Sequence, residues 1–164
     1  LLVNTLIELR QLEPADAAAI RQLYLALLRG TFTNFPAEAQ AIYTADWTPE
    51  LLAERAAAGR FVLFGAFDVT GAAVGLLFGA PPENTGVGTI IWLGVAEGQR
   101  GAGLGTQLMQ AAFGAYRERG CHKVKIYTET EAAKAFYVKL GMEVEGFHPQ
   151  HWWRVNFWSL GVQL

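Results

Sequence analysis

The sequence predicts an α/β chain built on one mixed sheet, with elements in the order β-α-α-β-β-β-α-β-α-β-β. Three observations predict it. Apolar runs of strand length alternate with segments of helical periodicity. Two of those runs are split by Val69-Thr70-Gly71, a hairpin signal. A Gly-rich turn, Gln99–Gly105, then joins a strand-like run to a helix-like one.

Residues 3–11 read as the opening strand. Glu13-Pro14-Ala15-Asp16 starts a helix, because proline suits a first turn and aspartate complements the helix dipole there. Ala17, Ile20, Leu23, Tyr24 and Leu27 form its apolar face, and Gly30 can end it. Residues 31–47, with Phe32, Phe35, Tyr43 and Trp47, read as irregular and aromatic. Thr48-Pro49 is an N-cap followed by a first-turn proline, opening a second helix that closes at Gly59. Phe61–Asp68, Ala73–Ala80 and Val87–Val95 follow as strands, with Pro81–Gly86 as a loop. Leu104, Leu108, Ala111, Ala112 and Ala115 give a helical face closed by Gly120. Lys123–Thr128 is a strand and Glu131–Leu140 a short helix closed by Gly141. Met142–Phe147 and Trp153–Leu160 complete the strands. No repeat or linker divides the chain, so residues 1–164 read as a single domain.

Composition narrows the function. Hydrophobic residues make up 52% and charged residues 17%, which excludes a disordered chain and suggests an apolar contact face, expected to form a homodimer through the final strand or the aromatic tail. The net charge is −2 and the isoelectric point ≈ 5.9, without a Lys/Arg cluster, so no nucleic-acid partner is expected. Cys121 is the one cysteine; it permits no internal disulfide and suits a reducing compartment. The first residues lack a basic segment and a long apolar run, and no apolar window approaches membrane-span length. A cytoplasmic location without membrane association is therefore expected.

The segment richest in chemical meaning is Gln99-Arg100-Gly101-Ala102-Gly103-Leu104-Gly105. Glycines let a backbone approach an anion closely, and the free N–H groups of a helix start then point at phosphate oxygens. A P-loop would need Gly-Lys-Ser/Thr, and no lysine follows. A dinucleotide fingerprint fits Gly101 and Gly103 but meets Thr106 at its last position, and the motif lies past mid-chain after hairpin-linked strands; Glu129 could serve as that motif's ribose-binding acid. A turn that merely starts a helix is the third reading.

Leu93-Gly94-Val95-Ala96-Glu97-Gly98-Gln99-Arg100-Gly101-Ala102-Gly103-Leu104-Gly105 resembles the cofactor motif of the GNAT superfamily of acyl-CoA N-acyltransferases. Ala132-Ala133-Lys134-Ala135-Phe136-Tyr137-Val138-Lys139-Leu140-Gly141-Met142 resembles the same family's second motif. Spacing and the intervening helix and strand match as well; the resemblance is specific over residues 87–147 and rests on element order elsewhere. It implies a mostly antiparallel sheet of about seven strands, helices on both faces and a splay between strands 4 and 5. It further implies an N-acetyltransferase that uses acetyl-CoA as co-substrate, requires no metal, and moves the acetyl group to a primary amine by direct attack on the thioester.

By resemblance, backbone groups of Leu93 and Val95 bond the pantetheine arm, with the Val95 N–H as donor to the thioester oxygen. Arg100, Gly101, Ala102, Gly103, Leu104, Gly105 and Thr106 form the pyrophosphate site, Arg100 as ligand or as brace. Tyr137 is the general acid for the departing thiolate, although it shares an apolar helix face with Ala133, Phe136 and Leu140 and could be packing alone. Thr130 stands where many members carry an asparagine that contacts the cofactor arm. It can donate to that arm or cap the short helix, and Thr128 with Glu131 forms an equally good capping box.

An alkylamine must lose a proton before it attacks. Glu83, Glu129, His148 and His151 are the candidate bases, while His122 reads as the start of a strand. The acceptor pocket is expected from residues 29–50, 81–86 and 147–153, with Phe32, Phe35, Tyr43, Trp47, Trp152 and Trp153 as walls and Glu38, Asp46 and Glu50 as acids. Such a pocket suits an ammonium on an apolar body, although the same aromatics could fill the core or a dimer seam. A small-molecule amine is the expected acceptor and a peptide or protein amine the alternative. A nicotinamide-dependent oxidoreductase and a non-catalytic acyl-CoA-binding module are the competing classes.

Overall fold

A computed structural model describes residues 6–164. Alternation along β2 (Val62–Phe67) and β3 (Ala73–Gly79) divides the core in two. Val62, Ala66 and Leu77 pack beneath α4 (Leu104–Glu118), together with Leu104, Leu108 and Ala112. Leu63, Leu76 and Phe78 pack beneath α1 (Ala17–Gly30) and α3 (Pro49–Ala58), against Ile20, Leu23, Leu27 and Leu52. Helices thus cover both faces of the sheet, and each fully buried leucine-sized side chain contributes about 1.5–3 kcal/mol.

Among the described residues the sheet has seven strands in the order β1-β2-β3-β4-β5-β7-β6. The remaining strands are β1 (Glu8–Gln11), β4 (Val87–Val95), β5 (Lys123–Thr128), β6 (Glu143–His148) and β7 (Phe157–Gln163). All neighbouring pairs are antiparallel except β4 and β5, which run parallel. This is the mixed, mostly antiparallel sheet expected. Among the described residues no helix is long and apolar enough to cross a membrane.

Tyr116 on α4 locks the sheet beside that parallel pair. Its ring lies over Gly88, where an added Cβ would meet Tyr116 Cδ1 at 2.5 Å. Its hydroxyl lies 2.7 Å from the Ala80 carbonyl and 2.8 Å from the Thr89 carbonyl, so one proton is shared between β3's exit and β4.

Three expectations need correction. Residues 31–47 are not irregular throughout: α2 occupies Ala37–Asp46, where Ala37, Glu38, Ala39, Gln40 and Ala41 favour a helix intrinsically. Its buried face is only Ala39, too little for a periodic apolar signal. The last strand starts at Phe157 and not at Trp153, because Trp152–Arg154 is a 3-10 turn in which Trp153 (φ 57°) and Arg154 (φ 61°) take left-handed backbone angles. The opening strand, expected over 3–11, covers Glu8–Gln11; residues 3–5 lie outside the described residues. The Thr48 cap stands as expected, its hydroxyl accepting from the Leu51 N–H at 3.3 Å, with Gly59 left-handed at the other end of α3.

Candidate active site

β4 and β5 pair only from Val87 opposite Lys123 to Ile90 opposite Ile126. Beyond that point β4 continues to Val95 and β5 to Thr128 without pairing each other, so the sheet splays. A bulge lies at the same level: Ile90 pairs with Gly79 and Trp92 with Phe78, leaving Ile91 extra. The bulge reverses which β4 amides face β3. Below it, the Thr89 carbonyl accepts from Ala80; above it, the Ala96 N–H donates to Val74. Strand alternation then turns the main-chain groups of Leu93 and Val95 away from β3 and into the splay.

The Gly-rich loop closes one end of that gap. Gly101 and Gly103 both have φ 81°, an angle that suits glycine, and an added Cβ at either would meet nothing within 4 Å among the described residues. Gly103 caps α4 without any side-chain hydrogen bond. The first bond of the helix runs from Gln107 N–H to Gly103 O at 3.1 Å, so the N–H groups of Leu104, Gly105 and Thr106 precede the ladder and have no helical acceptor. Gly105 is small for a different reason: a Cβ there would approach Phe136 at 3.3 Å, so this glycine lets α4 and α5 meet. Arg100 acts as a brace, its Nε donating to Val95 O at 3.2 Å and a terminal nitrogen to Thr31 Oγ1 at 2.6 Å. Ala102 is exposed at the rim and does not line the cleft.

α5 (Glu131–Lys139) forms the opposite wall. Thr130 caps it, its hydroxyl oxygen accepting from Ala133 N–H at 3.1 Å, whereas Thr128 is the buried last residue of β5 and caps nothing. Tyr137 is 6% exposed and reaches the cleft from the α4-side core. Burial, then the charge of Glu129, push the pKa of its hydroxyl above the ordinary tyrosine value. A phenol so placed stays protonated at neutral pH and has a proton to give.

The loop, the splay and Tyr137 line one cleft of about 820 Å³, which continues to an aromatic end. There Trp92 stands between Phe32 (4.8 Å between ring centroids), Tyr43 (5.1 Å) and Phe35 (6.3 Å). Trp152 and Phe157 complete the wall, 5.2 Å apart. Trp153 serves it indirectly, its indole N–H donating to Tyr43 Oη at 2.9 Å. Trp47 touches the cleft but is mainly core, stacked on Phe78 at 4.3 Å. Sequence reasoning does not single out Trp92 and Tyr127; strand alternation is the signal that points to Trp92, which faces opposite to Leu93 and Val95.

The candidate bases separate clearly. Glu129 lines the cleft, partly buried. Glu83 pairs with Lys125 at 3.3 Å, and neither it nor the rest of the 81–86 loop reaches the cleft. His148 is engaged with Ser159 Oγ at 3.0 Å, and His151 lies in a separate shallow groove with Trp152 and Trp153. Of the expected acids on 29–50, Asp46 lines the cleft and Glu38 and Glu50 do not.

The residues fit an acyl-CoA: amides ahead of the ladder at a helix start without a side-chain cap, open space above two left-handed glycines, and strand amides turned into a gap leading to a buried phenol. A search of curated protein sequences finds no match. Solved structures match the fold over almost the whole chain. The PaiA N-acetyltransferase from Thermoplasma acidophilum, in complex with coenzyme A, is 16% identical and superposes with a TM-score of 0.76, covering 94% of this chain and 98% of its own. A GNAT acetyltransferase from Streptococcus pneumoniae is 18% identical with a TM-score of 0.77, covering 97% and 99%. The ribosomal-protein-alanine N-acetyltransferase from Brucella melitensis is 22% identical with a TM-score of 0.72, covering 96% and 99%. The sequence model of the acetyltransferase (GNAT) family matches residues 19–142, well over half of the chain, and the chain therefore belongs to that family.

Proposed function

We propose that this chain transfers an acetyl group from acetyl-CoA to the nitrogen of a small primary amine. The observation that carries this reading is a single cleft that joins the main-chain donors preceding the α4 hydrogen-bond ladder, the inward-facing Val95 amide and the Tyr137 side chain. Acetyl-CoA enters as a substrate. The N–H groups of Leu104, Gly105 and Thr106 hold its diphosphate, with the Thr106 hydroxyl at hand and Arg100 keeping the loop in place. Leu93 and Val95 extend β4's hydrogen bonding to the amide-bearing arm. The Val95 N–H meets the thioester oxygen, which gains charge as nitrogen attacks.

Tyr137 protonates the departing thiolate. A positioned acid contributes roughly 10²–10⁴-fold, and a thiol of pKa about 8.5 needs only the lower part of that range. The aromatic end receives the acceptor. Its walls suit a small amine on an apolar body better than an extended polar peptide.

The test is release of free thiol from acetyl-CoA in the presence of separate aromatic monoamines, polyamines and peptides with a free N-terminus or lysine. Release is expected with the aromatic monoamines first. Release with peptides alone would move the acceptor to the peptide class, and stoichiometric binding of acetyl-CoA without transfer to any amine would reduce the chain to an acyl-CoA-binding module.

A further inference from the structure

Glu129 is a carboxylate that the cofactor cradle does not use. It follows β5 on the far side of the splay from Val95 and lines the same cleft as Tyr43, Trp92 and Tyr137. It is partly buried, and among the described residues no Lys or Arg lies within ion-pair distance of it. Arg100, the cation on the cleft wall, is already committed to Val95 O and Thr31 Oγ1. A carboxylate withdrawn from water without counter-charge destabilises a fold, and such a group is compensated when a cation arrives with a ligand.

What surrounds Glu129 limits that cation. The cleft that Glu129 lines is walled by Trp92, Tyr43, Phe35 and Phe157. Aromatic faces attract ammonium groups and bury flat apolar surface.

We propose that Glu129 anchors the ammonium of the acceptor and takes its proton, and that the aromatic wall selects primary amines carried on a flat apolar body. This rests on the acetyl-transfer reading above. In balanced form, R–NH3⁺ gives a proton to the Glu129 carboxylate and becomes R–NH2. Its nitrogen bonds to the thioester carbon, and the C–S bond breaks. Sulfur takes the Tyr137 proton, the new amide nitrogen releases its extra proton to the Tyr137 phenolate, and Glu129 returns its proton to solvent.

Besides Glu129, the titratable and charged groups lining this cleft are Tyr43 and Asp46 from α2, Arg100 from the loop, Tyr127 on β5 and Tyr137 on α5. Burial raises the Glu129 carboxyl above its ordinary value, partly offset by its own backbone N–H and the Asn34 amide. Its charge in turn adds to the burial that raises Tyr43 and Tyr137. A carboxyl moved toward neutrality is a better proton acceptor.

Glu129→Gln in the full chain tests this with phenethylamine, and 2-phenylethanol serves as the uncharged control. In calorimetric titration of protein saturated with coenzyme A, the wild type should bind phenethylamine and not the alcohol, and the variant should bind the amine about tenfold or more weaker. In thiol release, kcat/KM for phenethylamine should fall about 100-fold at pH 7. The deficit should shrink below about tenfold near pH 9.5, where bulk water supplies free amine of pKa about 10. The KM for acetyl-CoA should not change, and Glu129→Asp should recover part of the loss. Equal amine binding by variant and wild type overturns the anchor, and a deficit of the same size at both pH values overturns the proton acceptor. If the wild type binds phenethylamine through Glu129 yet releases no thiol with any amine, the transfer reading fails and the anchor stands. If thiol is released equally by both proteins, transfer stands and the Glu129 assignment fails.

Discussion

The two ends of the cleft are built by different means. At the loop end, the lining groups are main-chain: two left-handed glycines and three helix-start amides, contiguous from Gly101 to Thr106. At the aromatic end they are side chains: Phe32, Tyr43, Trp92, Glu129 and Phe157 come from separate elements and loops spread over most of the chain. A site made of consecutive backbone groups needs particular residue types at fixed spacing. A site made of side chains needs only that folding bring them together. The first end is therefore suited to a ligand common to a whole family, and the second can change acceptor without disturbing it.

The sharpest challenge to this division sits where the ends meet. Tyr137→Phe should lower kcat about 100-fold while leaving the KM for acetyl-CoA within a factor of about two. Because burial raises the Tyr137 hydroxyl above its ordinary value of about 10, wild-type kcat should show no basic fall below roughly pH 10. An unchanged rate in the variant would make Tyr137 packing alone. Next comes Gly103→Val at the loop end. A Cβ at φ 81° costs about 1–2 kcal/mol, so KM for acetyl-CoA should rise about 5- to 30-fold with the amine KM unmoved. A rise in both constants would show that the ends are not separable.

The aromatic end gives the converse test. Trp152 is 47% exposed at the mouth of the cleft, so Trp152→Ala should leave stability almost intact. Losing a stacking wall worth about 1 kcal/mol should raise the amine KM about fivefold and leave acetyl-CoA kinetics alone. Thr130→Ala should have the smallest effect on catalysis. It removes the α5 cap, lowering stability by about 1 kcal/mol, which a thermal melt reads as a Tm drop of roughly 2–4 °C. A large rise in acetyl-CoA KM would instead show that the Thr130 hydroxyl also serves the cofactor arm.

The same contrast explains what is legible in the sequence. The limits of β4 and β5, the Thr48 cap and the loop at Gly101–Gly105 are local features, fixed by residues a few positions apart, and the sequence displays all of them. α2 is hidden, because it buries one alanine and so carries no periodic signal; only its alanine content favours a helix. The late start of β7 depends on left-handed angles at Trp153 and Arg154, which non-glycine residues seldom adopt. Trp92 is hidden because its role depends on Phe32, Phe35 and Tyr43, roughly fifty or sixty positions earlier in the chain. Glu129 is one of four candidate bases. Sequence does not say that Glu83 meets Lys125, that His148 meets Ser159, or that Glu129 is left without a cationic partner among the described residues.

On the proposed function, main-chain amides at the start of α4 grip a diphosphate. Backbone amide spectra of isotope-labelled protein titrated with coenzyme A test this directly. The amides of Gly101–Thr106 and Val95 should shift together, saturate at one equivalent and be slowed in hydrogen exchange. Saturable binding that leaves those amides unmoved while shifting others would contradict it.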